Sequence, residues 1–305
     1  MSAQINEPQV LGVSSDLRRK ELGGTGLMLP QVGIGTYLYR GTAELLRRGL
    51  DLGANFIDTA ELYENEEVVG RAVKGIRDRV FIATKTHHFE YEQVIHCAET
   101  SLRRLGVDTI DLYQLHYPNA AVPIAETMAA MEELVHQGKV RFIGVSNFTV
   151  SELLQAEAAL KKVRLVSNQM RYSLIDRTVE RELLPFCQRH ALTFIAYSPL
   201  GQNFRAILDA DPTAALERVA RETGKTKAQI ALNWCLAKPS VVVIPKTESE
   251  AHLAENCASS GWRLSPEQMA LLDQAIQFRS RSKLVVTLRR FVRRTKQRIR
   301  GRLRI

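Results

Sequence analysis

The 305-residue sequence predicts an α/β chain of the closed-barrel class, a (β/α)8 TIM barrel. Three observations carry the prediction. Short β-rich runs alternate with stretches of helical periodicity, eight such units follow one another, and several of the β-rich runs end on polar residues. In a barrel of this class the C-terminal strand ends form the rim that carries chemistry. The rival architecture, an open doubly wound sheet, would place a glycine-rich phosphate turn after its first strand. Gly33-Ile34-Gly35 lacks the third glycine and no helix opens in register behind it, so the dinucleotide fingerprint is rejected.

In chain order, RRKELGGTGLMLPQVGIGTY puts two short extended stretches on either side of Gly23, Gly24 and Gly26. It reads as a β-hairpin leading into a first buried strand near Gly33. A helical stretch follows at 42–52. Further strands are expected at 55–58, 80–85, 110–116, 142–147, 165–170, 193–197 and 241–245. Helical periodicity occupies 91–105, 124–136, 151–160, 213–222 and 227–237 between them. The stretch NFIDTAELYENEEVVGRAV is the most informative: an apolar strand breaks at Asp58, a loop carries Tyr63, and Asn65 precedes Glu66 and Glu67 as a helix N-cap with acids in its first turn.

A hydrophobic content of 45% is enough for a substantial core, and a single barrel domain over 17–278 is expected. The polar segment 1–16 reads as a flexible extension. It lacks the apolar core of a signal peptide, and no apolar run is long enough to span a bilayer, so the expected location is cytoplasmic. Cys97, Cys187, Cys235 and Cys257 have no metal-like spacing and read as reduced thiols, and no metal site is expected.

The net charge of +9 is unevenly distributed. Residues 279–305 hold ten Arg, two Lys and no acid, which leaves 1–278 with 30 basic against 33 acidic residues. The barrel is therefore mildly acidic. The tail, with apolar Leu284, Leu288, Phe291, Val292 and Ile299 near helical spacing, reads as a basic amphipathic helix. An anionic membrane surface is its first expected partner, which would make the protein peripheral at the membrane. Packing on its own barrel or on a second copy ranks next, and nucleic acid ranks below both. The oligomeric state is left open.

Carbonyl reduction without a metal needs hydride for the carbon and a proton for the oxygen. Tyr63 can give the proton if a cation offsets its high pKa, Lys85 at the end of VFIATK can supply that cation, and Asp58 can keep the lysine charged. His116, ending DLYQLH, can orient the carbonyl oxygen. Each residue also has a plainer reading as a surface lysine, a core histidine or a packing tyrosine. His87 and His88 read as loop residues, and His96, His136 and His190 receive no role.

With these residues in place the chain resembles the aldo-keto reductase family over roughly residues 20–275. It carries GLMLPQVGIGTY, DTAELYENEEVVG, Thr84-Lys85, DLYQLHYP, GKVRFIGVSNF, NQMRYSL, AYSPLG, and IPKT with a downstream EN, in that order. The resemblance implies a tetrad of Asp58, Tyr63, Lys85 and His116 with Tyr63 as general acid, and a nicotinamide cofactor as hydride donor. It implies that Ser146, Asn147 and Gln169 hold the carboxamide, that Tyr197 stacks on the ring, and that Ser198, Leu200 and Gly201 lie along the pyrophosphate. It also places Gly35, Thr36 and Tyr37 against the cofactor. Lys246 and Thr247 match positions that grip the 2′-phosphate of NADP, and Glu255 and Asn256 match adenine contacts. His252 stands where the family commonly has Arg, so NADP is expected with reduced preference over NAD. Tyr37 and Tyr117 replace tryptophans of many relatives and keep the pocket mouth aromatic. NQMRYSLIDR is more similar to the branch with aryl-alcohol dehydrogenases and potassium-channel β subunits than to the aldose-reductase branch. The expected activity is NADP-dependent reduction of an aldehyde or ketone. The rival is a nicotinamide-binding regulatory or redox-sensing subunit tethered by its tail.

Overall fold

The computed structural model describes residues 17–278. The expected N-terminal extension and the basic tail lie outside the described residues. Strands β1 (Arg19–Glu21) and β2 (Met28–Pro30) form the expected antiparallel hairpin, with Arg19 opposite Pro30. Eight parallel strands follow: β3 (Ile34–Gly35), β4 (Phe56–Asp58), β5 (Phe81–Thr86), β6 (Ile110–Leu115), β7 (Val140–Ser146), β8 (Leu165–Arg171), β9 (Thr193–Tyr197) and β10 (Val241–Ile244). Each strand pairs with its neighbours in chain order. The seam between β3 and β10 closes through a parallel bridge of Val32 with Val243 and through Gly33 N–H donating to Val243 O at 2.8 Å. Gly35 N–H donates to Pro245 O at 3.1 Å across the same seam. A Cβ on Gly35 would sit 2.5 Å from Ile244 O, so only glycine lets the two strands approach this closely.

The helices between the strands are α1 (Ala43–Asp51), α2 (Glu66–Val73), α3 (Tyr91–Leu105), α4 (Ile124–His136), α5 (Val150–Ala159), α6 (Leu183–Arg189), α7 (Arg205–Asp209), α8 (Ala215–Thr223) and α9 (Lys227–Leu236), and α10 (Glu250–Cys257) and α11 (Pro266–Ala275) follow the last strand. Local chemistry sets several starts. Thr149 with Glu152, Thr226 with Gln229 and Ser265 with Gln268 make reciprocal capping boxes at α5, α9 and α11. Gly106, at φ 63°, ends α3 in the left-handed conformation that glycine adopts without strain. Asn65 precedes α2 but does not cap it with its side chain. Its Oδ1 accepts from Thr59 Oγ1 at 2.7 Å and its Nδ2 donates to Thr36 O at 2.8 Å. The residue ties the β3 and β4 loops together, and the competing hydroxyl removes it from the helix.

Alternation along the strands divides the core into two bodies. Phe56, Phe81, Leu112, Val166, Ile195 and Val242 point into the barrel, where Leu22, Leu27 and Leu29 of the hairpin region plug the N-terminal mouth. The outward residues, such as Ile57, Ile82 and Tyr113, pack on helix residues that include Leu46, Val69, Val94, Leu134 and Leu153. Two residues beyond the inward aromatics and Leu112 the same faces carry Asp58, Ala83 and Gln114, and Lys85 follows Ala83 by two. The period of two therefore places a polar layer directly above an apolar floor. No described helix is long and apolar enough to cross a membrane.

Candidate active site

The polar layer opens at the C-terminal strand ends. β4 delivers Asp58, the 3-10 turn Glu61–Tyr63 delivers Tyr63, β5 delivers Lys85, and His116 directly follows β6. Lys85 is fully buried and Asp58 nearly so. Lys85 Nζ donates to Asp58 Oδ1 at 2.5 Å and to Thr59 O at 2.7 Å. Its ammonium also lies 5.0 Å from the centroid of the Tyr63 ring. Tyr63 Oη is 3.5 Å from His116 Nε2. All four expected catalytic residues thus meet at one place, with the lysine between the acid and the phenol.

Burial alone would lower the pKa of Lys85, but the charge of Asp58, with help from Tyr63, holds it above the ordinary lysine value. At Tyr63 the balance differs from the sequence expectation. Burial pushes the phenol up, the Lys85 ammonium pulls it down, and Asp58 pushes it up again, so it stays above the ordinary tyrosine value. The lysine offsets the burial only in part. A phenol held this way is protonated at neutral pH and faces a cation placed to stabilise the phenolate left after proton transfer.

Two further residues complete the acid. Asp58 Oδ2 accepts from Gln169 Nε2 at 2.7 Å and from Gln114 Nε2 at 3.3 Å. Gln114 is absent from the expected set, because a polar residue inside DLYQLH reads as one step of ordinary strand alternation. Gln169, expected at the carboxamide, here donates to the tetrad from a buried position.

The residues assigned to a cofactor lie around the same rim. Asn147 Nδ2 donates to His116 O and to Ser146 Oγ, both at 3.0 Å, and Tyr197 Oη donates to Asn147 Oδ1 at 3.0 Å. Ser146 Oγ donates to Gln169 O at 3.0 Å. Asn147 and Ser198, at φ 65° and 49°, hold left-handed backbone just past β7 and β9. Such conformations concentrate at ligand clamps. Together with the half-buried Tyr197 ring and Gly201 at φ 72°, this rim fits a flat amide-bearing ring followed by a phosphate chain. Thr36 is buried and donates to Asp58 O, whereas Tyr37 stands 55% exposed with its ring 5.2 Å from that of Tyr63. Leu200, just past β9, is half-buried.

Further along the seam, the 246–256 segment carries the adenosine-end candidates. Lys246, Glu248 and His252 are exposed, Thr247 and Glu255 are half-buried, and Asn256 is buried. Lys246 Nζ lies 2.6 Å from Glu248 Oε1, which also accepts the Arg40 N–H at 3.0 Å. That pairing partly neutralises the cation expected to meet a 2′-phosphate. At the mouth, Tyr117 lies near His116 and Phe89, with ring centroids 5.7 and 5.9 Å away. Tyr37, Leu38 and Leu62 are exposed, and they add to the apolar character expected of the opening.

The comparisons agree with this geometry. The profile described as the Aldo/keto reductase family matches residues 24–277. A methylglyoxal reductase of Escherichia coli is 36% identical over 259 residues, covering 81% of this chain and 91% of the relative. A glyoxal reductase of Bacillus subtilis is 34% identical over 258 residues, covering 81% and 89%. A Klebsiella pneumoniae aldo/keto reductase solved with NADP and acetate superposes with a TM-score of 0.77 at 36% identity, covering 89% of this chain and 98% of that one. A thermostable aldo-keto reductase bound to epalrestat gives 0.79 at 40% identity, covering 84% and 99%. With its barrel, its tetrad and these likenesses, the chain belongs to the aldo/keto reductase family.

Proposed function

We propose that the protein is an NADP-dependent oxidoreductase that reduces small aldehydes or ketones to alcohols, with α-oxo aldehydes of the methylglyoxal type as the first substrates to test. The observation that carries this reading is the buried Lys85–Asp58 pair set against Tyr63 and His116 at the barrel rim. A nicotinamide held at the rim would supply the hydride. His116 and Tyr63 orient the carbonyl oxygen, and Tyr63 donates its proton to that oxygen as negative charge develops there. Lys85 stabilises the phenolate, and Asp58, fixed by Gln114 and Gln169, keeps the lysine charged. Ser146, Asn147 and Gln169 would hold the carboxamide, with Tyr197 against the ring. Gly35, Thr36 and Tyr37 would line its approach, and Ser198, Leu200 and Gly201 the phosphates. Lys246, Thr247 and His252 would face the 2′-phosphate, and Glu255 and Asn256 the adenine. NAD is the alternative nicotinamide, favoured by the Glu248 pairing. An intact tetrad supports an enzyme over a sensor subunit, which has no need of all four groups. Substrate-dependent NADPH oxidation with methylglyoxal, glyoxal and aryl aldehydes tests the reading; no turnover with any of them would overturn it.

We infer that the basic tail 279–305 holds the enzyme at an anionic membrane surface. The support is its charge: twelve cationic side chains and no acid, beside a body with 30 basic and 33 acidic residues. Co-sedimentation with phosphatidylserine vesicles, comparing the intact chain with one ending at Phe278, tests it. Salt-sensitive binding of the intact chain alone is expected, and equal sedimentation of both would remove the inference.

A further inference from the structure

Lys85 and Thr86 are consecutive on β5, so as one points into the lumen the other points outward, toward the helix layer. The outer side holds a second group of reactive side chains, back to back with the tetrad. Glu61 from the 3-10 turn, His88 from the loop after β5 and Cys97 from α3 each present one ligand atom, all within 4.8 Å of one another. All three are half-buried, so a small solute can reach them. The proposed reductase chemistry uses none of the three.

We propose that Glu61, His88 and Cys97 form a binding site for a divalent transition metal of the Zn2+ class. One thiolate, one imidazole and one carboxylate make a mixed donor set that suits Zn2+ and disfavours Mg2+ and Ca2+, which take oxygen ligands. Zn–S bonds of about 2.3 Å and Zn–N or Zn–O bonds of about 2.0–2.1 Å place tetrahedral ligand atoms roughly 3.3–3.6 Å apart. Closing the cluster on an ion therefore needs inward shifts on the order of an ångström, within reach of side-chain rotation, and water takes the fourth position.

The surroundings support the ligands as the outer partners of metal sites do. Glu61 Oε1 accepts from Thr86 Oγ1 at 2.9 Å and from the His87 N–H at 2.5 Å, and it lies 2.6 Å from His87 Nδ1. His88 Nδ1 lies 3.0 Å from Gln93 Oε1, and its backbone N–H donates to Thr86 Oγ1 at 3.1 Å. The carboxylate and the imidazole are thus each oriented by a second group. The plainer role of these contacts is to pin the Tyr63 turn to β5, with Cys97 as a further hydrogen-bond partner of Glu61 and Thr86.

Titration of the untagged, reduced full chain with Co2+ tests the proposal. The wild type should saturate at about one Co2+ per chain, with a near-ultraviolet thiolate-to-cobalt band that Zn2+ abolishes by displacement. Cys97→Ser should lose the band and His88→Ala should weaken binding at least about tenfold, both with unchanged circular dichroism and metal-free reductase rate. X-ray absorption of the Zn2+-loaded wild type should show one sulfur neighbour, which frees the test from any folding defect of the variants. No saturable band, a band retained in Cys97→Ser, or a zinc shell of nitrogen and oxygen only would overturn the proposal.

Discussion

Lys85 Nζ and Asp58 Oδ1 lie 2.5 Å apart with neither side chain more than 3% exposed, so the barrel seals a full ion pair beneath the Tyr63 phenol. Water cannot rescue either charge if its partner is removed. Lys85→Met should therefore destabilise the fold by about 3–5 kcal/mol, the usual cost of stranding a buried charge. Urea unfolding checks this. Lys85→Met with Asp58→Asn together should cost less than the sum of the two single changes.

The pH dependence follows from the raised pKa of Tyr63. Reduction needs the protonated phenol, and a value above the ordinary one keeps that form dominant through neutral pH. The kcat/KM for reduction should stay flat there and decline only above about pH 10, the ordinary tyrosine value. Alcohol oxidation needs the phenolate and should rise over the same range. Steady-state profiles in both directions test the sign.

Cofactor choice should respond to Glu248. Its pair with Lys246 is partly exposed and so worth at most about 1 kcal/mol. Glu248→Ala should lower the KM for NADPH by up to about fivefold, the factor that free energy represents, with little change for NADH. Lys246→Ala should raise the KM for NADPH more than that for NADH. Both follow from parallel titrations of the two cofactors.

The hairpin plug lies at the opposite end of the barrel from the chemistry. Leu29 is fully buried among the floor residues, so Leu29→Ala should lower stability by about 2–5 kcal/mol. The KM for substrate should not change. A thermal or urea midpoint measured alongside initial rates separates the two effects.

Much of this was readable in the sequence, for a physical reason. In a parallel barrel each strand is a short, mostly apolar run that stops where the rim begins, so Asp58, Lys85, His116 and Ser146 announce themselves as polar residues at or near a strand's end. The long helices were legible through periodicity: α3 and α4 occupy the expected 91–105 and 124–136, although neither carries a side-chain cap. Helices α6 and α7 were not, being only seven and five residues long and so too short to show a period. Asn65 was read as a cap because its neighbours are right for one, but the hydroxyl of Thr59, six residues back, takes its oxygen. Gln114 against Asp58 and the Glu61–His88–Cys97 group depend on which segments meet in space. Linear spacing carries no trace of that.

Tyr63→Phe reports most directly on the account's central claim, because it removes one oxygen and leaves the ring, Lys85 and Asp58 in place. Methylglyoxal-dependent NADPH oxidation by the variant should fall at least about a hundredfold, the scale of general-acid catalysis, while NADPH binding measured by fluorescence stays at the parent value. A variant that turns over at the parent rate would show that the proton comes from elsewhere.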